Sequence, residues 1–185
     1  MARIKIDGLD AVTKELNRIR GAQAPAIKKA IEDTVKFGEK AAVDGIYNRY
    51  GFNSRSYIEQ NLSVSFDPRD LKGTISARYR PSTLIRFARR LTRTARWGGS
   101  RPDGHMVSAL RNKPVWFKGT FSVIGRNGNQ IMFQRMKGDN SWRKLKGQKA
   151  MYGPSVAGSF GKIRGDIEPP IIAHLRNKYR QYANR

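Results

Sequence analysis

Leu62-Ser63-Val64-Ser65-Phe66-Asp67-Pro68-Arg69-Asp70, running on to Gly73-Thr74-Ile75-Ser76-Ala77-Arg78-Tyr79, decides the fold class. Leu62, Val64 and Phe66 alternate with Ser63, Ser65 and Asp67, the period-two pattern of a strand with one buried face. Pro68-Arg69-Asp70 carries turn chemistry, so the two runs predict an antiparallel hairpin. The preceding chain has a different period. Leu9, Val12, Leu16 and Ile19 fall on one helical face, which Gly21 ends. Pro25 suits the first turn of a second helix over about 24–47, striped by Ile27, Ala30, Ile31, Val35, Gly38, Ala42 and Ile46. The Ala and Gly in that stripe invite close packing against a helix or a sheet. Ile4 and Ile6, alternating with Arg3 and Lys5, predict a short opening strand.

Beyond the hairpin, Pro81-Ser82 breaks the strand and Ser82 or Thr83 can cap a helix running toward Ala95. Leu84, Ile85, Phe87, Ala88, Leu91 and Ala95 would take one side, and Arg86, Arg89, Arg90, Arg93 and Arg96 the other. Residues 97–104 read as a Gly- and Pro-containing loop that holds Arg101. Strands are predicted at 106–110, 117–124 and 130–136, the last two joined by a tight turn at Asn127-Gly128. Residues 137–165 are basic, punctuated by glycine and without periodicity. A last helix is expected to begin near Pro169 and Pro170, with Ile171, Ile172, Leu175, Tyr179 and Tyr182 on its apolar side.

These elements predict an α+β protein in which N-terminal helices and a C-terminal helix pack on an antiparallel β-sheet. At 185 residues a single domain is expected over 1–185. It comprises a helical segment at 1–50, a sheet at 60–136 bearing the Arg-rich helix and loop of 83–104, and a basic extended segment with the last helix at 137–185. Trp97, Trp116, Trp142, eight Phe and seven Tyr supply apolar area enough for a folded core.

Charge is the strongest functional signal. Residues 71–165 hold 21 Lys and Arg against Asp103 and Asp139, a formal charge of +19 out of +23 for the whole chain. One-signed surface raises the free energy of the folded state through self-repulsion, so an anionic partner is implied. On the Arg-rich segment no Asp or Glu provides i, i+4 pairing, and guanidinium groups favour bidentate contacts with phosphate or carboxylate. Arg86, Arg89, Arg90, Arg93, Arg96 and Arg101 are therefore the candidate contacts to DNA or to an acidic protein.

Other chemistries are poorly supplied. The absence of Cys removes disulfides, thiolate nucleophiles and sulfur-ligated metals, and the two His, His105 in the expected loop and His174 in the last helix, form no metal-ligand spacing. No metal or cofactor is expected. Gly153-Pro154-Ser155-Val156-Ala157 is similar to a nucleophile elbow, followed by Asp166 and His174 in hydrolase order. Three members within 20 residues and no evident preceding strand make Gly153, Pro154 and Ser155 a structural turn instead. Gly161-Lys162 lacks both the earlier Gly and the following Ser or Thr of a phosphate loop. No apolar run approaches a membrane span and no signal-peptide core opens the chain, so a soluble, unexported protein without membrane contact is expected. Trp97, Trp116, Phe117, Phe121, Phe133, Trp142 and Tyr152 interleave with bases as in a free-standing nucleic-acid-binding protein, an alternative reading, although core or subunit-interface packing accounts for most of them.

The order of the pieces resembles the minor tail protein Z family of long-tailed phages, the tail-completion or neck proteins of lambda-like virions. The resemblance is carried by Ile4-Lys5-Ile6-Asp7-Gly8-Leu9, Leu84-Ile85-Arg86-Phe87-Ala88-Arg89-Arg90, Gly119-Thr120-Phe121, Ile131-Met132-Phe133-Gln134-Arg135 and Met151-Tyr152-Gly153-Pro154-Ser155-Val156. It implies a structural virion protein at the head-proximal end of the tail, assembled in the host cytoplasm as a homo-oligomeric ring, with sixfold symmetry expected. The implied partners are tail-terminator, tail-tube and head-closure proteins, with double-stranded DNA in the lumen. The Arg- and Gly-rich stretch at 92–104 departs from the family pattern.

Overall fold

The computed structural model describes residues 2–4, 24–90, 104–136, 138 and 148–184. In chain order the elements are β1 (Ala2–Ile4), α1 (Ala24–Arg49), α2 (Arg55–Glu59), β2 (Leu62–Asp67), β3 (Lys72–Ala77), β4 (Ser82–Thr83), a 3-10 turn (Leu84–Phe87), β5 (Ala88–Arg90), β6 (Gly104–Leu110), β7 (Lys113–Lys118), β8 (Thr120–Ile124), β9 (Gln130–Gln134), β10 (Ala150–Gly153) and α3 (Val156–Ala183). The protein is α+β, and its described strands form three antiparallel sheets, β1-β3-β2, β4-β10-β9-β8 and β5-β6-β7. The helix expected over 9–20 lies outside the described residues.

Two compact units divide the chain. One is built from Met1–Ile46, Ser56–Tyr79 and Val156–Arg185, the other from Tyr47–Arg55 and Arg80–Ser155. Each takes non-contiguous segments, which is why no linker shows along a sequence that reads as one domain.

In the first unit α1 forms where the periodicity places it. The predicted stripe from Ile27 to Ile46 is buried in full, joined by Thr34 and Val43. Its small residues are where other elements come close. A Cβ on Gly38 would lie 2.7 Å from Ile75 Cδ1 of β3 and 3.3 Å from Ile171 Cδ1 of α3, and one on Gly45 would lie 2.8 Å from Ile163 Cδ1. The stripe therefore admits both a sheet and a helix. The expected β2–β3 hairpin forms, with Val64 opposite Ile75 and Asp67 opposite Lys72. Asp67 Oδ1 accepts from the amides of Arg69 and Asp70 at 2.8 and 3.3 Å, an Asx turn. Leu71 then takes φ 49°, and its side chain packs on the cluster of Ile27, Ile31, Val35 and Leu175.

The last helix begins at Val156 instead of near Pro169, and both prolines lie inside it. Gly158, Gly161, Gly165, Pro169 and Pro170 are all exposed, so the residues that disguise the helix stand on its outer side. The inner side carries Phe160, Ile163, Ile167, Ile171 and Leu175, all buried. Burying each contributes about 1.5–3 kcal/mol, enough to offset about 3 kcal/mol for each interior proline. A Cβ on Gly161 or Gly165 would meet nothing within 4 Å. Gly161→Ala and Gly165→Ala are each expected to raise the free energy of unfolding by about 0.5–1 kcal/mol, read from the urea midpoint; a lower midpoint would refute an open outer face.

α3 also fixes His174. Its ring stacks on Phe37 with centroids 4.2 Å apart, and Nδ1 lies 3.4 Å from Thr34 Oγ1. The Thr34 hydroxyl already donates to the Ala30 carbonyl at 2.6 Å, so this long contact requires Nδ1–H as donor. Burial first, then nearby Lys178, push the His174 pKa below its ordinary value, with Asp33 opposing them. Asp33 in turn pairs with Lys178 at 4.0 Å and accepts from Tyr182 Oη.

Among its described residues the second unit is β apart from the end of α1, the first residue of α2 and the 3-10 turn. The predicted strand over 117–124 is two strands, because Gly119 at φ 70° breaks the run between β7 and β8. β7 starts at Lys113, making a β6–β7 hairpin with Gly104 opposite Lys118 and Val107 opposite Val115. The Asn127-Gly128 turn closes β8–β9 as expected, with the Gly125 amide donating to Asn129 O at 2.8 Å and Gly128 at φ 74°. Phe121 and Phe133 are buried opposite each other, taking the core role assigned to them. His105 belongs to β6, not to a loop. It is 3% exposed, with Nδ1 2.9 Å from Thr120 Oγ1. Because that hydroxyl donates to Phe117 O at 2.9 Å, His105 Nδ1–H is the donor to it.

Candidate anionic-partner site

The charge segregation of the sequence becomes a property of one folding unit. The segments Tyr47–Arg55 and Arg80–Ser155 contain 19 Lys and Arg against Asp103 and Asp139, a formal charge of +17. The other unit's segments carry 18 against 12, or +6. Asp103 and Asp139 lie outside the described residues, so the described part of the basic unit contains no carboxylate side chain.

The segment expected to form an Arg-faced helix over 82–95 does not do so. Its described part is β4, the 3-10 turn and β5. The cause is tertiary. Asn53 donates its backbone amide to Arg86 O at 2.8 Å and its side-chain amide to Ile85 O at 3.2 Å and Ala88 O at 3.0 Å. Carbonyls that an α-helix would use internally are thereby taken, while Ala88, Arg89 and Arg90 pair with Val107, Met106 and His105 of β6. Leu84, Phe87 and Ala88 are buried, and Arg86 and Arg89 are exposed. Arg86 thus stands on the 3-10 turn, with Arg89 and Arg90 in β5, while Arg93, Arg96 and Arg101 lie outside the described residues.

Arg89 opens onto a recess of about 370 Å³ within the basic unit, lined also by Tyr47, Phe52, Asn53, Ser108 and Arg111. Two anchors fix its walls. Asn53 ties it to the 84–88 turn. Arg111 ties it to the end of α1, with Nε donating to Tyr47 O at 2.6 Å and Nη2 to Tyr50 O at 3.2 Å and Phe52 O at 3.5 Å. A guanidinium at the C-terminal end of a helix also meets the negative end of its dipole. Arg111 further lies over the Tyr47 ring, 4.0 Å from its centroid. Phe52 and Phe87, both in the lining, pack with ring centroids 4.4 Å apart and planes tilted by 45°, each 1% exposed. Nothing in the sequence marks Arg111 or Asn53, because their partners are backbone carbonyls far along the chain.

Gly153 ends β10, so a strand does precede the Gly153-Pro154-Ser155 segment, and Pro154 and Ser155 link that strand to α3. Gly153 closes β10 opposite Ser82, and a Cβ there would lie 2.6 Å from Phe87 Cε2. Ser155 has no positive φ, unlike a strained elbow. Asp166 and His174 sit eight residues apart on α3, about 12 Å along its axis, so they do not converge as a triad would. Lys162 lies within α3 and not in a loop. Among the described residues no group of three or more His, Asp or Glu is placed to hold a metal ion, and no helix is long and apolar enough to cross a membrane.

Fold and site together define an α+β protein with a strongly basic unit whose described residues include no carboxylate side chain. No family model, no curated protein and no solved structure matches the chain.

Proposed function

We propose that the protein is a structural component of a long-tailed phage virion, a tail-completion or neck ring that joins the head-proximal end of the tail to the head and surrounds the DNA channel. The observation that carries this reading is the confinement of +17 to one unit, together with the resemblance of the segment order to tail-completion proteins. The role is mechanical and electrostatic. Six copies at +23 each would hold +138, whereas a ring about 40 Å deep around duplex DNA meets about 24 phosphates. Most of the charge therefore meets acidic protein surfaces of the flanking tail-terminator, tail-tube or head-closure rings, and Arg86, Arg89 and Arg90 belong to that docking face or to the lumen. A heterologous ring interface also covers the free edges of β2, β7 and β8.

Imaging of the purified protein in negative stain, alone and mixed with tail tubes, tests the proposal. Rings that cap one end of the tubes are expected, and Arg86→Gln/Arg89→Gln/Arg90→Gln is expected to lose tail-to-head joining. A monomer that never joins tubes and binds duplex and single strands alike with steep salt dependence would overturn it in favour of a free-standing nucleic-acid-binding protein.

A further inference from the structure

The recess beside Arg89 differs chemically from a general basic surface. Arg89 is exposed in β5 and forms no ion pair among the described residues. Arg111 spends Nε and Nη2 on carbonyls, which leaves the two N–H groups of Nη1 without a partner among the described residues. Ser108 adds a hydroxyl to the lining, and no acid lines the recess among the described residues. Two guanidinium groups thus line a concavity whose walls are held by Asn53 and Arg111.

Shape and ring chemistry decide between anions. Duplex DNA presents its phosphates on a convex surface, and a recess of about 370 Å³ does not admit a strand. Binding a splayed nucleotide would call for an aromatic face to hold its base. Tyr47 already carries two guanidinium groups over its ring, Arg111 at 4.0 Å and Arg55 at 4.7 Å, and Phe52 and Phe87 are buried against each other. A carboxylate on a short side chain needs only the donors and the apolar wall.

We propose that this recess is a carboxylate pocket, which takes an Asp or Glu side chain from an acidic segment of a partner protein, with Arg89 supplying the bidentate contact. The pocket is a feature of the single chain and stands whether or not the protein forms a virion ring.

The test is fluorescence anisotropy on the full chain at constant ionic strength, with labelled hexaglutamate and a labelled deoxythymidine hexamer as probes. Arg89→Gln is expected to weaken hexaglutamate binding about tenfold. Arg89→Lys, which keeps the charge but not the planar fork, is expected to lose most of the same affinity. Arg126→Gln removes an equal charge from the exposed β8–β9 turn of the same unit and is expected to change binding less than twofold. Equal losses at 89 and 126, or no binding of hexaglutamate by the wild type, would overturn the proposal. So would a loss on Arg89→Gln confined to the oligonucleotide, which would assign the recess to phosphodiesters.

Discussion

Gly51→Ala is expected to lower the free energy of unfolding by about 3 kcal/mol, the upper end of the usual cost of overpacking. A Cβ at this position would sit 1.8 Å from the Ser108 carbonyl oxygen and 2.9 Å from its carbon, both backbone atoms that no rotamer change can move. The contact is this close because the chain leaving α1 docks against β6, with the Gly51 amide donating to Ala109 O at 3.3 Å and Tyr50 bridging to Leu110. Relief requires the 47–53 segment to lift off β6, which opens the recess wall and exposes Phe52. Urea denaturation measures the change, and a loss below about 1 kcal/mol would show that the segment shifts without penalty.

Arg111→Ala is expected to cost about 3 kcal/mol, because it strips a charged donor from the Tyr47, Tyr50 and Phe52 carbonyls at the end of a helix. Arg111→Lys keeps a cation near those oxygens but replaces a planar fork by a point charge, and should recover about half of the loss. Denaturation midpoints of the three proteins separate the two contributions. If Lys matches Arg, charge alone holds the helix end and the fork is irrelevant. Gly51 and Arg111 act on the same short segment, so the double variant should fall short of the sum of the singles.

What the sequence made legible follows from how local each signal is. α1 and the β2–β3 hairpin announce themselves because their buried faces repeat without interruption, and the partners they need fit any residue of suitable size. The 82–90 segment is deceptive for the opposite reason. Leu84, Phe87 and Ala88 are buried at helical spacing, yet a 3-10 turn followed by a strand buries the same three, and the choice is made by Asn53 and β6 from elsewhere in the chain. In α3 the inward residues keep their spacing from Phe160 to Leu175, but glycines and prolines on the outer side mask it. The excess of bases was plain; that Arg89 and Arg111 line one recess depends on long-range pairing that no local pattern encodes.

The interleaving of the two units sets the order in which a nascent chain can acquire structure. The first unit needs α3, which follows every segment of the basic unit along the chain, before the stripe on α1 gains its helical cover. Every segment of the basic unit has been synthesised by Ser155. Translation therefore delivers a complete set of strands for the cationic half first, while the apolar face of α1 waits, exposed and prone to capture by chaperones, until α3 emerges.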